Sequence, residues 1–279
     1  MTAMEEIEVG ATTLFVLDDG TWRFPAHFFF ANVPAAQWQA RLDTDAEGKI
    51  PVGHNHGLVK TAHELIVIDT GYGDDRHGGC TGHLLDDFER TGLRPEQVTQ
   101  VVTTHAHGDH IQRHTLLHAG RRRPTFTHAR YHLARADWHW FTEVAPTPEV
   151  ETHLVPLARS GQLTFFDGEC EISPGVHLLP TPGHTPGHTS VLIESGGHCA
   201  LFLGDLCHHA VHFSHPQWVS SFDTHPELTP HTRARIFSLA EHLRALLICP
   251  HLPAPGLGHL MRVGDGFVWQ PLNRPARHG

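Results

Sequence analysis

The chain has 279 residues, of which 39% are hydrophobic and 18% charged, and this describes a globular protein long enough to bury a sizeable core. Its formal net charge of −10 disfavours nucleic acid as a partner, because binding to phosphate backbones depends on lysine and arginine. The abundant glycine and proline, 26 and 20 residues, predict many loops.

Membrane and secreted classes are also disfavoured. No apolar run approaches the roughly 20 residues of a membrane helix, and the acidic start MTAMEEIEVG lacks the features of a secretory signal. We therefore expect a cytoplasmic protein with no membrane partner. Five scattered cysteines, never at CxxC spacing, predict reduced thiols rather than disulfides or a zinc-thiolate site: Cys80, Cys170, Cys199, Cys207 and Cys249.

The first predicted elements are a strand and a helix. The β-branched run ELIVIDTG, residues 64–71, predicts a buried strand that ends at Asp69. Residues 81–92 then predict a helix, with Thr81 as its cap and Gly92 as its end.

A second strand and a second helix are predicted next. Residues 100–105 predict a strand that runs directly into the segment TTHAHGDH. Residues 129–141 predict a helix, whose aromatic side chains Trp138, Trp140 and Phe141 we assign to the core rather than to a pocket wall. Strand ends of this kind often hold the chemistry of α/β proteins.

The second half of the chain is denser in strands. A helix is predicted over residues 229–246 and a hairpin that turns at residues 264–266. Four strands precede the helix, at residues 163–167, 176–180, 189–194 and 198–204. We predict one α/β (α+β) domain over residues 1–279, with two mixed β-sheets face to face and helices outside.

The segment TTHAHGDH is the densest cluster of candidate metal ligands. In an extended segment, alternate residues face the same way, so His105, His107 and Asp109 can converge while His110 reaches a neighbouring point. Imidazole and carboxylate are ligands that Zn²⁺ accepts. Chance proximity is the alternative, because the chain has 29 histidines. One segment could serve two metals only if other loops supply further ligands.

Three later stretches offer such ligands at the ends of predicted strands. His184 lies in TPGHTPGH, Asp205 in FLGD and His251 in CPH. With these residues and the DTG aspartate Asp69, the chain resembles the metallo-β-lactamase superfamily of metal-dependent hydrolases, over most of its length. HAHGDH matches the HxHxDH motif of that family, and the resemblance implies its four-layer αβ/βα sandwich.

The resemblance also implies a ligand set for two divalent metal ions, with Zn²⁺ as the first choice and Mn²⁺, Co²⁺ or Fe²⁺ as alternatives. Asp205 would bridge the two ions. The remaining ligands divide into one set of His105, His107 and His184 and another of Asp109, His110 and His251. Asp69 would orient a ligand imidazole from behind, and a turn-forming role is its alternative.

Within the superfamily, the segments TPGHTPGHTS and GDLCHHAVHF are most similar to the branch of methyl parathion hydrolase and the N-acylhomoserine lactonases. This implies a dinuclear hydrolase that uses a metal-bridging hydroxide to open a lactone or cleave a carboxylic ester, with promiscuous phosphotriesterase activity. The implied catalytic residues are Asp109, as a proton donor to the leaving group, and His208. The lactonases carry a tyrosine at the position of His208.

Other members of the superfamily remain as alternatives: a mononuclear iron persulfide dioxygenase, a thioester hydrolase like glyoxalase II, or a ribonuclease. The presence of all seven ligands disfavours the dioxygenase, and the short segment after His251 disfavours the thioester hydrolase. The charge of −10 disfavours the ribonuclease. The expected partner is a small ester or lactone, and a homodimer is an open alternative.

Several residues near these motifs have open roles. We interpret His54 and His56, in GHNHG, as ordinary polar residues rather than pocket residues. Phe213 and residues 28–30, three phenylalanines, are expected near the pocket. Residues 111–115, IQRHT, replace the small residues of many relatives and are a candidate segment for substrate preference.

Overall fold

The computed structural model describes residues 4–73, 82–264 and 266–272. Its strands form two seven-stranded sheets and one separate hairpin. In spatial order the first sheet is β1 (Glu5–Val9), β2 (Thr12–Pro25), β3 (Lys49–Lys60), β4 (Leu65–Ile68), β5 (Gln100–Val102), β8 (Arg130–Ala134) and β9 (Leu163–Phe166). The hairpin pairs β6 (Thr115–His118) with β7 (Arg121–Pro124).

The second sheet follows the order of the chain. It contains β10 (Cys170–Ser173), β11 (Val176–Pro180), β12 (Thr189–Ser195), β13 (His198–Phe202), β14 (Leu246–Ile248), β15 (Leu257–Val263) and β16 (Gly266–Pro271). The α-helices are α1 (Ala35–Gln39), α2 (Leu84–Arg90), α3 (Gly108–Ile111), α4 (Arg135–His139), α5 (Pro148–His153), α6 (Val155–Arg159), α7 (Val211–Ser214) and α8 (Thr229–Leu243).

Three hydrophobic clusters fill the spaces between the layers of sheets and helices. One contains side chains from both sheets, among them Val59 and Ile68 from the first and Val191 and Phe202 from the second. A second cluster joins the outer face of the first sheet to α2 and α5, and a third joins the second sheet to α8. This is the predicted arrangement of two facing mixed sheets with helices outside, and it is confirmed.

Parallel pairing runs through one half of the first sheet, where β4, β5, β8 and the edge strand β9 lie side by side. Both faces of these strands are covered, and LIVI of β4 and QVV of β5 are buried throughout. Because β4, β5 and β8 point in one direction, the loops after them emerge at the same edge. The HxHxDH segment therefore begins at this edge.

The helix predicted over residues 129–141 is wrong in its first half. Arg130–Ala134 form strand β8, and only Arg135–His139 are α-helical before a π-helical turn over Trp140–Val144. Tyr131 pairs in register with Val101 on one side and Leu163 on the other. Sheet pairing on both sides therefore overrides the helix propensity of this segment.

Other boundaries differ by a few residues. The helix predicted to reach residue 246 ends at Leu243, because Arg244 takes a left-handed conformation (φ 50°) and Leu246 opens β14. The strand predicted over 100–105 ends at Val102. The predicted cap Thr81, Cys80 and the middle of the predicted hairpin turn lie outside the described residues. None of the described helices is long and apolar enough to cross a bilayer.

Candidate metal centre

The predicted ligands come together where strands of both sheets end. β4 is followed by Asp69, β5 by the HxHxDH loop, β11 by the loop of His184, β13 by Asp205 and β14 by His251. Ring nitrogens and carboxylate oxygens from these loops and from β3 form four groups of close donor atoms, and Asp205 belongs to two of them.

The first group consists of His105, His107, His184 and Asp205. Nδ1 of His107 lies 3.0 Å from Nε2 of His105 and 3.0 Å from Nε2 of His184. Oδ2 of Asp205 lies 3.2 Å from Nε2 of His184 and 3.6 Å from Nε2 of His105. Three imidazoles and one carboxylate oxygen thus face a common point.

The second group uses the other oxygen of Asp205. Its Oδ1 lies 3.1 Å from Nε2 of His110 and 2.9 Å from Nε2 of His251. Asp109 Oδ2 lies 3.5 Å from the His110 nitrogen and 3.8 Å from the His251 nitrogen. Each carboxylate oxygen of Asp205 therefore serves a different set of histidines.

These distances fit metal cations. Ligand atoms at about 2.0–2.1 Å from a tetrahedral cation lie about 3.3 Å from one another. The contacts in the two groups range from 2.9 Å to 3.8 Å and bracket that value. In addition, Nε2 of His110 and Oδ1 of Asp205 are buried, and although they lie 3.1 Å apart, neither makes a hydrogen bond of good geometry among the described residues. A cation between the donors would satisfy these atoms.

The charges of the site also call for a cation. Burial alone would raise the pKa of Asp205, but His251 and His110 together hold it well below its usual range. Burial alone would lower the pKa of His184, but the carboxylates of Asp205 and Asp223 raise it to about 9. The buried carboxylates thus hold protons on nearby imidazoles, and divalent cations would replace these protons as the compensating positive charge.

The outward-facing ring nitrogens have fixed partners. Nδ1 of His110 donates to Asp69 Oδ2 at 2.8 Å, and Nδ1 of His184 donates to Asp223 Oδ1 at 2.9 Å. Nδ1 of His251 donates to the carbonyl oxygen of Gly53 at 2.9 Å. Each bond orients its ring and leaves Nε2 facing the centre.

Asp69 combines the two roles considered from the sequence. It has a left-handed backbone (φ 59°), as a turn residue would, and it also accepts the hydrogen bond from His110. The Thr104 hydroxyl lies 2.7 Å from Asp69 Oδ2 and 3.1 Å from Nδ1 of His105. One aspartate therefore supports a histidine of each donor group, directly or through Thr104.

The supporting residues that the sequence analysis missed include Asp223 and His188. Asp223 contacts His184 from 39 positions away, in a loop with no recognisable motif. His188, the second histidine of TPGHTPGH, accepts a hydrogen bond at Nε2 from the backbone N–H of Asp205, at 2.8 Å. The repeated PGH triplet was the available signal for His188.

His54 is a pocket residue, contrary to our expectation, whereas His56 is not among the residues that line the cavity. Both lie on β3 and are buried, and His54 lines the cavity with Nε2 at 3.6 Å from Asp109 Oδ2. His56 lies behind His110, with ring centroids 6.1 Å apart, and neither of its ring nitrogens has a hydrogen-bond partner among the described residues. His54 therefore faces the centre, whereas His56 packs beneath it.

A cavity of about 300 Å³ opens over the two groups. Its polar lining includes His208, whose Nε2 lies 3.3 Å from Asp205 Oδ2 and whose ring stacks on His251 at 5.3 Å. Its apolar lining includes Phe24, Phe29, Val52 and Phe222. The site thus combines a charged floor with an aromatic wall.

Some expected pocket residues lie elsewhere. Phe213 is buried between Phe237 and Trp269 on the α8 side of the second sheet, because α7 turns it away from the cavity. Of the three phenylalanines at 28–30, only Phe29 lines the cavity. Residues 111–115 are buried behind the metal loop, where His114 lies 2.7 Å from the hydroxyls of Thr70 and Thr103. They do not line the cavity.

The protein is a four-layer sandwich in which histidines and aspartates lie together at the strand ends of both sheets. This arrangement is typical of a class of two-sheet metalloproteins, and comparison with known families agrees with it. The family described as the metallo-beta-lactamase superfamily matches residues 50–255, which is most of the chain. The protein belongs to this superfamily.

Individual curated relatives match only part of the chain, and at moderate identity. An N-acyl homoserine lactonase from Bacillus cereus is 32% identical over 175 residues, which cover 59% of this chain and 60% of the lactonase. The probable metallo-hydrolase Rv2300c of Mycobacterium tuberculosis (strain ATCC 25618 / H37Rv) is 29% identical over 181 residues, covering 54% of this chain and 56% of its own length. The chain thus spans about 60% or less of the curated relatives it matches first.

Solved structures match over nearly the full length. AidC, a dizinc quorum-quenching lactonase in complex with a product, N-hexnoyl-L-homoserine, has a TM-score of 0.83 and 26% identity, covering 98% of both chains. Hydrolase AbOPH of the beta-lactamase superfamily has a TM-score of 0.88 and 23% identity, covering 99% of both chains. The second likeness shows the shared fold alone.

Proposed function

We propose that this protein is a dinuclear metal-dependent hydrolase that opens lactones or cleaves related carboxylic esters. One observation carries the proposal: the two oxygens of Asp205 face two separate sets of histidines at 2.9–3.6 Å. A carboxylate in this position suits two cations side by side. Zn²⁺ is the first candidate, because the remaining donors are mainly imidazoles.

We assign seven residues as ligands. Asp205 would bridge the two positions, with one cation held by His105, His107 and His184 and the other by Asp109, His110 and His251. Two divalent cations so held would lower the pKa of bound water and polarise a substrate carbonyl. The protein fixes the imidazoles from behind through Asp69, Asp223 and the Gly53 carbonyl, so little reorganisation is needed on binding.

His208 and Asp109 are the side chains assigned to the reacting groups. His208 is buried and lines the cavity, and neither of its ring nitrogens makes a hydrogen bond of good geometry among the described residues, although Nε2 lies 3.3 Å from Asp205 Oδ2. It can therefore donate to a substrate oxygen that enters above Asp205. Asp109 also lines the cavity and is more exposed than Asp205, which suits transfer of a proton to the leaving group.

The aromatic side chains that line the cavity favour a substrate with an apolar acyl part. The Phe29 ring lies 6.3 Å from Phe24 and 5.9 Å from Phe222, so three rings adjoin one another on one side of the cavity. The likeness to lactonases, including one solved with an acyl-homoserine product, supports a lactone over the other ester classes. Phosphotriester hydrolysis is proposed only as a secondary activity.

The purified protein should bind about two divalent ions and hydrolyse acylated lactones faster than phosphotriesters or thioesters. Metal analysis combined with a hydrolysis screen across acyl lactones, aryl esters, phosphotriesters and thioesters tests both parts. A single iron per chain together with oxygen consumption would exclude the hydrolase and favour the dioxygenase. If the protein binds two ions but hydrolyses thioesters fastest, the dinuclear hydrolase stands and only the proposed substrate class is wrong.

Replacing Phe222 by alanine should raise KM for long-chain acyl lactones about fivefold, with little change for a short-chain lactone. The ring is 42% exposed and lines the cavity, so its loss removes roughly 1 kcal/mol of apolar contact with the substrate but little core packing. Leu228→Ala is the matched control, since Leu228 is 40% exposed and does not line the cavity. Equal KM changes for short and long chains would argue against an acyl site here.

A further inference from the structure

Asp137 is a buried carboxylate near the centre that belongs to neither donor group. It lies on α4, fully buried, and accepts three hydrogen bonds. Oδ2 accepts from the backbone N–H of Ala106 and from the Thr185 hydroxyl, both at 3.0 Å. Oδ1 accepts from the backbone N–H of Gly187 at 2.6 Å. All three donors come from the loops that surround the metal centre.

The three donors belong to two different loops. Ala106 lies between His105 and His107 in the HxHxDH loop, whereas Thr185 and Gly187 lie in the TPGHTPGH loop directly after His184. Across this junction, Nδ1 of His107 and Nε2 of His184 lie 3.0 Å apart. A single side chain on α4 thus joins the two loops that supply all three histidines of the first group.

The packing around Asp137 is close enough to fix this junction. A Cβ atom at Gly187 would lie 2.6 Å from the Asp137 backbone nitrogen and 2.8 Å from its Oδ1, so only glycine fits there. Asp137 has no hydrogen bond to a residue of the second group among its described contacts. Its influence should therefore be confined to one of the two cation positions.

We propose that Asp137 is a positioning residue that sets the spacing of the HxHxDH and TPGHTPGH loops and thereby the affinity of the first cation position alone. The proposal rests on the two-cation site proposed above. It makes the two positions unequal: the position formed by His105, His107, His184 and Asp205 depends on Asp137, and the position formed by Asp109, His110 and His251 with Asp205 does not.

The test is the Asp137→Asn variant, titrated with Zn²⁺ under graded chelator competition. The amide keeps the size of the side chain but places an NH₂ group where at least one donor now points. We expect one ion to bind about 10- to 100-fold more weakly, the usual cost of losing a supporting hydrogen bond, and the other to bind as in the wild type. Thr185→Val, which removes one donor and keeps Asp137, should weaken the same ion less.

Double variants identify the affected position. Asp137→Asn combined with His184→Ala should bind its remaining ion as His184→Ala alone does. Asp137→Asn combined with His110→Ala should bind its remaining ion about 10- to 100-fold more weakly than His110→Ala alone does. Asp87→Asn is the matched control: Asp87 is also buried and accepts from the backbone N–H of Asp18 at 2.8 Å, but its described partners, Asp18 and Arg90, belong to neither metal loop. It should leave both affinities unchanged.

Either of two results would overturn the proposal and leave the proposed function in place. If both ions weaken equally in Asp137→Asn and in Thr185→Val, Asp137 supports the fold in general rather than one position. If wild type binds two ions and both variants keep both affinities, Asp137 has no positioning role and the proposed function stands. A wild-type protein that binds no divalent ion would instead overturn the proposed function, and this inference with it.

Discussion

Asp205→Ala is expected to abolish turnover and to release both cations. Asp205 is 4% exposed, and its two oxygens face His105 and His184 on one side and His110 and His251 on the other. Its removal takes a ligand from each position and leaves four imidazoles without their carboxylate. We expect kcat to fall by about 10³-fold or more, the scale of losing a central electrostatic group. Metal content after dialysis should fall below one ion per chain.

The control for this experiment must be a histidine or aspartate away from the centre. His56 is unsuitable, because it is buried against His110 and its replacement by alanine would leave a void. His63 is exposed in the turn between β3 and β4, and His63→Ala should change neither metal content nor turnover. Full activity with two bound ions in Asp205→Ala would refute the bridging assignment.

Convergence of the donor residues could be predicted because it follows from topology. Parallel strands bring their carboxyl ends to one edge of a sheet, so Asp69 and the HxHxDH loop had to be neighbours once β4 and β5 were adjacent. The same reasoning for the second sheet brings Asp205 near His251, since β13 and β14 are also parallel neighbours. Strand order and direction thus decide which loops meet.

The supporting residues could not be predicted in this way. Asp137, Asp223 and Arg233 act through a few hydrogen bonds each to loops distant in sequence, and neither periodicity nor motif spacing encodes such contacts. A buried carboxylate on a short helix looks, in sequence, like any surface aspartate. Its role becomes visible only when the loops that it joins have been placed in space.

The error at residues 129–141 has a related cause. Alanine, leucine and arginine favour a helix locally, but Tyr131 and Leu133 complete a parallel sheet between β5 and β9 and are fully buried there. Burial on both faces outweighs a helix preference of a few tenths of a kcal/mol per residue. Of the aromatic residues that follow, Phe141 is in the core as expected, whereas Trp138 and Trp140 are partly buried and pack against the core.

Replacing Arg233 by methionine should cause a large loss of stability. Arg233 on α8 is fully buried and donates to the carbonyl oxygens of Leu206 at 2.6 Å, Pro216 at 3.1 Å and Trp218. Methionine fills much of the space but leaves these carbonyls without donors, at about 1–3 kcal/mol for each buried group. We expect the free energy of unfolding, measured by urea denaturation, to fall by about 3–5 kcal/mol.

A buried charge is itself costly, and replacing a buried ion pair as a whole by apolar residues can even stabilise a protein. That case does not apply here, because the partners of Arg233 are backbone carbonyls that no side-chain substitution removes. Arg235, two positions along α8, is exposed and donates to one carbonyl, that of Pro180, so Arg235→Met should cost less than about 1 kcal/mol. Arg233→Met should also lower turnover. The carbonyls of Leu206 and Trp218 lie on either side of His208 along the chain, so loss of their donor should disturb the position of His208. We expect this effect even at temperatures where the variant remains folded. Equal stability of the two methionine variants would show that the guanidinium does not hold this loop.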